Sequence, residues 1–192
     1  MLQIDVNFID RLAKTCKKFP DRSVDIMQSV KKNQINSKLE IFKHIPNNSR
    51  VCIMGGWYGA PYLLANPTCD YTFVDLDQQC AVIGKYLWQG RPATFIEGDA
   101  LLFDTSPFDV IINSSTEHMD KNGLADSLQR IQPGKKCILQ NSNQRAVLDH
   151  INCFKSADEF SDWTSNYMLI SSTATTLMDN GSSRFTLICQ ST

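Results

Sequence analysis

Gly55, Gly56 and Gly59 lie within the run RVCIMGGWYGAPYLLA, residues 50–65. Val51, Cys52, Ile53 and Met54 read as a short buried strand, and Tyr62, Leu63, Leu64 and Ala65 as a helix. Glycines between a strand and a helix bring bare backbone N–H groups, and the positive end of the helix dipole, up to a ligand. Phe73-Val74-Asp75 ends a second strand about 20 residues on, where a carboxylate can hold a ribose. Asp77, one pleat further, is the competing acid, with helix capping as its plainer role. Glu117 and His118 follow a strand ending at Asn113, and either could take up a proton. His118 has the intrinsic pKa for that at neutral pH, whereas Glu117 would need burial to raise its own. Their plainer roles are a helix cap for Glu117 and a solvent-facing ring for His118.

These residues need elements to hold them. Alternation and β-branched content predict strands at 51–54, 71–76, 93–97, 109–113 and 135–140, with helices at 59–65, 78–88 and 121–130. Strands alternating with helices imply a parallel sheet covered on both faces. The order changes after Asn141. Short helices are expected near 144–149 and 156–165, then strands at 167–178 and 183–190 joined at Asp179-Asn180-Gly181. Asn-Gly between strand-like runs signals a hairpin. The fold class is therefore α/β, a Rossmann-like doubly wound sheet, mostly parallel, with a C-terminal antiparallel hairpin. Residues 1–49 read as an N-terminal helical cap on a unit spanning 50–192. In the cap, Phe8, Ile9 and Leu12 share one helix face, Val24, Met27 and Val30 another, and Leu39, Ile41, Phe42 and Ile45 form a third pattern.

Composition narrows the classes. The chain has 192 residues, 42% hydrophobic and 20% charged, which suits one globular domain with a substantial core. A net charge of −1 gives no global attraction for nucleic acid or anionic lipid. Lys14, Lys17, Lys18, Arg22, Lys31 and Lys32 cluster near the N-terminus, as a local basic patch or a solvated helix face, so nucleic acid is possible but not favoured. The seven cysteines are odd in number, form no CxxC pair, and in part sit in apolar strands. That favours reduced thiols and a cytoplasmic setting, and argues against a zinc knuckle or a disulfide framework. No metal is expected. The start, MLQIDVNFID, lacks the pattern of a signal peptide, and no apolar stretch suits a membrane helix.

The motifs, in order, resemble those of the class I S-adenosylmethionine-dependent methyltransferases over roughly residues 50–190. IMGGWYG stands at the glycine-rich loop, FVDLD at the end of the second strand and EGDA at the end of the third. FDVIINSS stands at the fourth, and QPGKKCILQ at the Pro-Gly turn into the fifth. SSTEHM and LQNSN also look like segments of small phage-encoded methyltransferase-like proteins. The resemblance implies S-adenosyl-L-methionine as cofactor. It would be held by Gly55, Gly56, Trp57, Tyr58 and Gly59 in the loop, by Asp75 and Leu76, by Asp99 and Ala100, by Asn113, and by Lys38 from the cap. Asp75 would take both ribose hydroxyls, Asp99 the adenine amino group, and the Ala100 N–H a ring nitrogen. Gln34 and Ser37 could join Lys38 at the cofactor's carboxylate.

Methyl transfer needs an aligned nucleophile, excluded water and, for an amine or alcohol, removal of a proton. Asn113, Glu117 and His118 are the catalytic candidates. Gln140, Asn141, Ser142 and Asn143 could recognise a small polar substrate or simply form a turn. His150, Asn152 and Arg184 are further polar candidates, Arg184 for a carboxylate, a phosphate or a surface ion pair. The sequence departs from the family at Ile53 and Met54, where an acid is usual, and in the bulk of Trp57 and Tyr58, which could pack over the loop or touch a ligand. The fourth strand is not followed by Asp-Pro-Pro-Tyr or Asn-Pro-Pro-Tyr, which lowers the odds of base-amine methylation, and no Pro-Cys pair occurs. The leading expectation is a methyltransferase acting on a small polar or unidentified acceptor. The alternatives are an aminopropyl or aminocarboxypropyl transferase, or a non-catalytic binding protein. Oligomeric state stays open.

Overall fold

The computed structural model describes residues 6–65 and 68–192. The reading of a helical, leader-free start over residues 1–5 lies outside them. Three helices come first: α1 (Val6–Lys18), α2 (Ser23–Ser29) and α3 (Lys32–Phe42). Then follow β1 (Arg50–Met54), α4 (Ala60–Ala65), β2 (Asp70–Asp75), α5 (Gln78–Leu87), β3 (Ala93–Glu97) and β4 (Val110–Asn113). The chain ends with α6 (Lys121–Arg130), β5 (Lys136–Ser142), α7 (Ala157–Thr164), β6 (Met168–Leu177) and β7 (Ser183–Ser191).

The seven strands form one sheet in the order β3-β2-β1-β4-β5-β7-β6. β1 to β5 pair in parallel, and β7 runs antiparallel to both β5 and β6. Strand order reverses between β1 and β4, which is where an open α/β sheet leaves a crevice at its carboxyl edge. Period-two alternation divides the core. On β1, Val51 and Ile53 face the side covered by the N-terminal helices and α5, while Cys52 and Met54 face the side covered by α6 and α7. Phe8, Ile26, Ile41 and Ile45 belong to the same apolar cluster as Ile53 and Phe73, so the cap and the sheet share one core. Phe8 stacks on Trp88 with ring centroids 5.1 Å apart.

Two element-level expectations need correction. Residues 144–149 form turns, not a helix: the Arg145 N–H donates to the Asn143 carbonyl, and the His150 N–H to that of Val147. In α2 the buried apolar residue is Ile26, whereas Val24 and Met27 are exposed. A helix of 7 residues is too short for spacing alone to identify its inner face. Several of the basic N-terminal residues have partners of their own. Lys14 pairs with Asp10, Lys18 lies over the Tyr86 ring, and Lys32 reaches Asp179. All seven cysteines are free, and burial pushes the Cys52, Cys137 and Cys189 thiols up to about 12. Among the described residues no helix is long and apolar enough to cross a membrane.

The fit between α5 and β3 gives a stability test. A Cβ on Gly84 would stand 2.4 Å from two carbons of the Phe95 ring. Alanine ordinarily stabilises a helix interior by about 1 kcal/mol over glycine. Here overpacking by about 1–3 kcal/mol reverses the sign. Gly84→Ala is expected to destabilise the protein in urea denaturation, and Phe95→Leu in the same chain to restore part of the loss.

Candidate functional site

The turn after β1 is built on left-handed backbone at alternate residues: φ is +67° at Gly55, 50° at Trp57 and +71° at Gly59. Trp57 thus stands where a GxGxG loop has its middle glycine. A side chain there costs roughly 1–2 kcal/mol. The three glycines also differ in their reasons. A Cβ on Gly56 or Gly59 would meet Phe73 at 2.8 or 2.9 Å, so these two serve packing against β2. Gly55 instead backs onto Ser115, whose Cβ would lie 3.2 Å away. The N–H groups of Gly55 and Gly56 both donate to the Val74 carbonyl, at 2.9 and 3.1 Å.

Asp75, at the carboxyl end of β2, holds this loop. Its Oδ2 accepts from the Trp57 N–H at 2.9 Å and its Oδ1 from the Asp77 N–H at 3.1 Å. Asp77 caps α5 through the Gln79 N–H. The same Asp77 pairs with Arg22 at 2.7 Å, and Arg22 also pairs with Asp25 at 2.9 Å. The Tyr58 hydroxyl donates to Asp25 Oδ2 at 2.7 Å, and the Trp57 indole N–H reaches the same oxygen at 3.4 Å. The cap is therefore tied to the loop by a polar clamp. Asp25 was not legible as part of it, because Arg22 and Asp25 at spacing three look like an ordinary helix-surface pair.

A cavity of about 780 Å³ opens along the carboxyl edge. Gly55, Gly56, Trp57, Tyr58, Gly59, Asp75, Leu76, Asp99, Ala100, Lys38, Glu117 and His118 all line it. Trp57 stands in its wall and does not plug it. Asp99 Oδ1 accepts from the Leu101 N–H at 2.8 Å. Two expected cofactor residues are not brought there, Ser37, whose hydroxyl donates to the Gln34 carbonyl at 2.7 Å, and Asn113. The Asn113 side chain is fully buried, with Oδ1 accepting from the Ser115 N–H and Nδ2 directed at Met119 Sδ.

Glu117 is fully buried and does not cap α6; Asp120 does, by accepting from the Gly123 N–H. Glu117 Oε1 accepts from Arg184 Nη1, so Arg184 makes a buried ion pair, not a surface one. Glu117 Oε2 is buried with no hydrogen-bond partner. His150 Nε2 lies 4.0 Å from Glu117 Oε1, and the His118 and His150 rings meet edge to face at 4.6 Å. Burial holds His150 below its ordinary pKa; Glu117 opposes this and His118 adds to it. Lys38 is buried, donating to Gln140 Oε1 at 2.8 Å and to the Ser114 carbonyl at 3.2 Å. Burial, reinforced by Arg184, lowers its pKa well below the ordinary value, against the pull of Glu117.

The amides at the end of β5 are struts and not a recognition surface. Gln140 Nε2 donates to the Ser37 carbonyl and Thr186 Oγ1, and Asn141 Nδ2 to Thr116 Oγ1 and the Asn152 carbonyl. SSTEHM and LQNSN thus brace each other beneath the cavity.

No protein-family profile and no curated protein matches the sequence. Solved structures do match in fold. The N-methyltransferase NodS from Bradyrhizobium japonicum WM9 superposes with a TM-score of 0.64 at 11% identity, over 81% of this chain and 93% of that one. A 1,6-didemethyltoxoflavin-N1-methyltransferase from Burkholderia thailandensis, solved with 1,6-didemethyltoxoflavin and S-adenosylhomocysteine, gives 0.66 at 12% identity, over 100% and 92%. A TehB-like SAM-dependent methyltransferase from Corynebacterium glutamicum gives 0.62 at 13% identity, over 94% and 99%. The chain has the Rossmann-like fold of these methyltransferases.

Proposed function

We propose that the protein is an S-adenosylmethionine-dependent methyltransferase acting on a small polar acceptor in a cytoplasmic setting. One observation carries the reading. A single cavity at the point of strand reversal runs from Asp75 and Asp99 to Glu117 and His118, joining a nucleoside-suited end to a proton-accepting end. Its volume falls within the range of small-molecule sites. The toxoflavin enzyme, by its name, methylates the small molecule 1,6-didemethyltoxoflavin, which supports the same class of acceptor.

The residues present fit the cofactor. A carboxylate offers about four lone-pair positions. Asp75 spends two on the Trp57 and Asp77 N–H groups, and so keeps two for the paired hydroxyls of a ribose. Asp99 and the Ala100 N–H would hold the adenine, with Leu76 beside it. The Gly55 turn and Lys38 would hold the methionine part. When bound, the cofactor supplies an electrophilic methyl on a sulfonium sulfur. The chain's own work is to align the acceptor beside that methyl, exclude water, and receive the acceptor's proton. His118, exposed on the cavity wall, would receive it, because Glu117 is fully buried. Isothermal titration with S-adenosylmethionine and S-adenosylhomocysteine tests the reading. Binding of either supports it, and absence of binding by both at millimolar concentration overturns it.

A further inference from the structure

Two imidazoles and a carboxylate converge on the cavity wall. Glu117, His118 and His150 place one ligand atom each within 4.8 Å of the others. The orientation of His150 is fixed by its neighbour. Its Nδ1 lies 2.8 Å from the Gln144 carbonyl oxygen, which can only accept. The ring proton therefore sits on Nδ1, and the lone pair on Nε2 faces Glu117. A backbone carbonyl that holds one imidazole nitrogen while the other stays free is the outer-sphere arrangement of metal-ligating histidines. Glu117 adds a second, independent sign: Oε2 is buried without a partner, and an orphaned carboxylate oxygen costs free energy unless a cation or donor meets it.

We propose that Glu117 Oε2, His118 and His150 Nε2 bind a divalent transition metal of the zinc or cobalt type. The donor set selects the metal. Two imidazoles and one carboxylate suit zinc, cobalt, nickel or ferrous iron, whereas magnesium and calcium need several oxygens. Arg184 takes Oε1 and leaves a single anionic ligand atom, which further disfavours the hard cations. The present 4.8 Å spread is wider than the roughly 4.2 Å that two ligands at 2.1 Å from one metal can span. Closing that gap falls to His118, which is exposed on the cavity wall. With three protein ligands the metal keeps open positions toward the cavity, suited to an oxygen or nitrogen of the acceptor. Use of His118 as ligand and its use as base exclude one another, and metal titration decides between them. The inference does not rest on the cofactor, since no methyl donor is needed to observe it.

The test is titration of chelator-stripped protein with Co²⁺, followed by the visible ligand-field band, with Zn²⁺ as competitor. One equivalent is expected to develop the band, and His150→Ala and His118→Ala each to weaken binding at least ~10-fold. His118 is exposed, and the buried His150 side chain lies outside both apolar clusters, so both variants should fold, which circular dichroism checks. Cys153 lies close by and could recruit metal itself, so the titration is repeated on Cys153→Ser. Retention of the band there, without near-ultraviolet thiolate charge transfer, supports the site. No ligand-field band, or a band unchanged by both histidine substitutions, overturns it.

Discussion

Replacing Asp75 by alanine is expected to weaken S-adenosylhomocysteine binding by at least ~100-fold in isothermal titration. Each hydrogen bond to a charged acceptor contributes about 1.5–3 kcal/mol. Two such bonds to a ribose therefore put the loss at about 3 kcal/mol or more, or two decades in affinity. The same carboxylate also anchors the N–H groups of Trp57 and Asp77. Part of the loss in Asp75→Ala would then come from a loosened loop, and two further measurements separate the parts. Thermal denaturation of the ligand-free variant reports the loop. Asp75→Asn keeps one oxygen, can satisfy one backbone N–H but not both, and should bind with intermediate affinity. Binding by Asp75→Ala within threefold of the parent would remove the sugar from this carboxylate.

Much of the sheet was legible because its signals are local. Val51 to Met54 gave an apolar run bounded by polar and glycine residues, and β1 is buried at every position but its first. Asn180-Gly181 marked the hairpin, and Gly181 takes the positive φ of 79° that such a turn needs. The positions lining the cavity were mostly readable too, since strand ends converge on one edge whatever their side chains. The partners of those side chains were not. Arg184 sits opposite Ser142 only because β7 pairs antiparallel with β5 in one register. That register brings it to Glu117 from 67 residues away. Gln140 and Asn141 carry polar side chains at a strand end, yet they are buried, because the cap and the 152–154 segment close over them. The left-handed backbone of Trp57 leaves no mark in composition at all. It follows from the β1–α4 turn, which needs that geometry at alternate residues regardless of the side chain present.

Arg184→Met is expected to cost about 3–5 kcal/mol of stability in chemical denaturation, the usual penalty for removing one partner of a buried ion pair. Glu117 is fully buried and Oε2 already lacks a hydrogen-bond partner. Losing Arg184 would leave the whole carboxylate uncompensated. Glu117→Gln alone should cost less, because an amide keeps an acceptor for the guanidinium and carries no charge to desolvate. The double variant Arg184→Met with Glu117→Leu removes both charges and should recover most of the loss, since apolar replacements of a buried pair are often near neutral. The double-mutant cycle then gives the coupling directly. Arg184→Lys tests geometry at constant charge: a point ammonium does not reproduce the planar fork that holds Oε1. If that grip is what keeps the Glu117 carboxylate beside the histidines, Arg184→Lys should fold yet bind Co²⁺ more weakly. Stability of Arg184→Met within about 1 kcal/mol of the parent, a surface-pair value, would mean that water reaches Glu117 and that its burial is not what shapes the cavity wall.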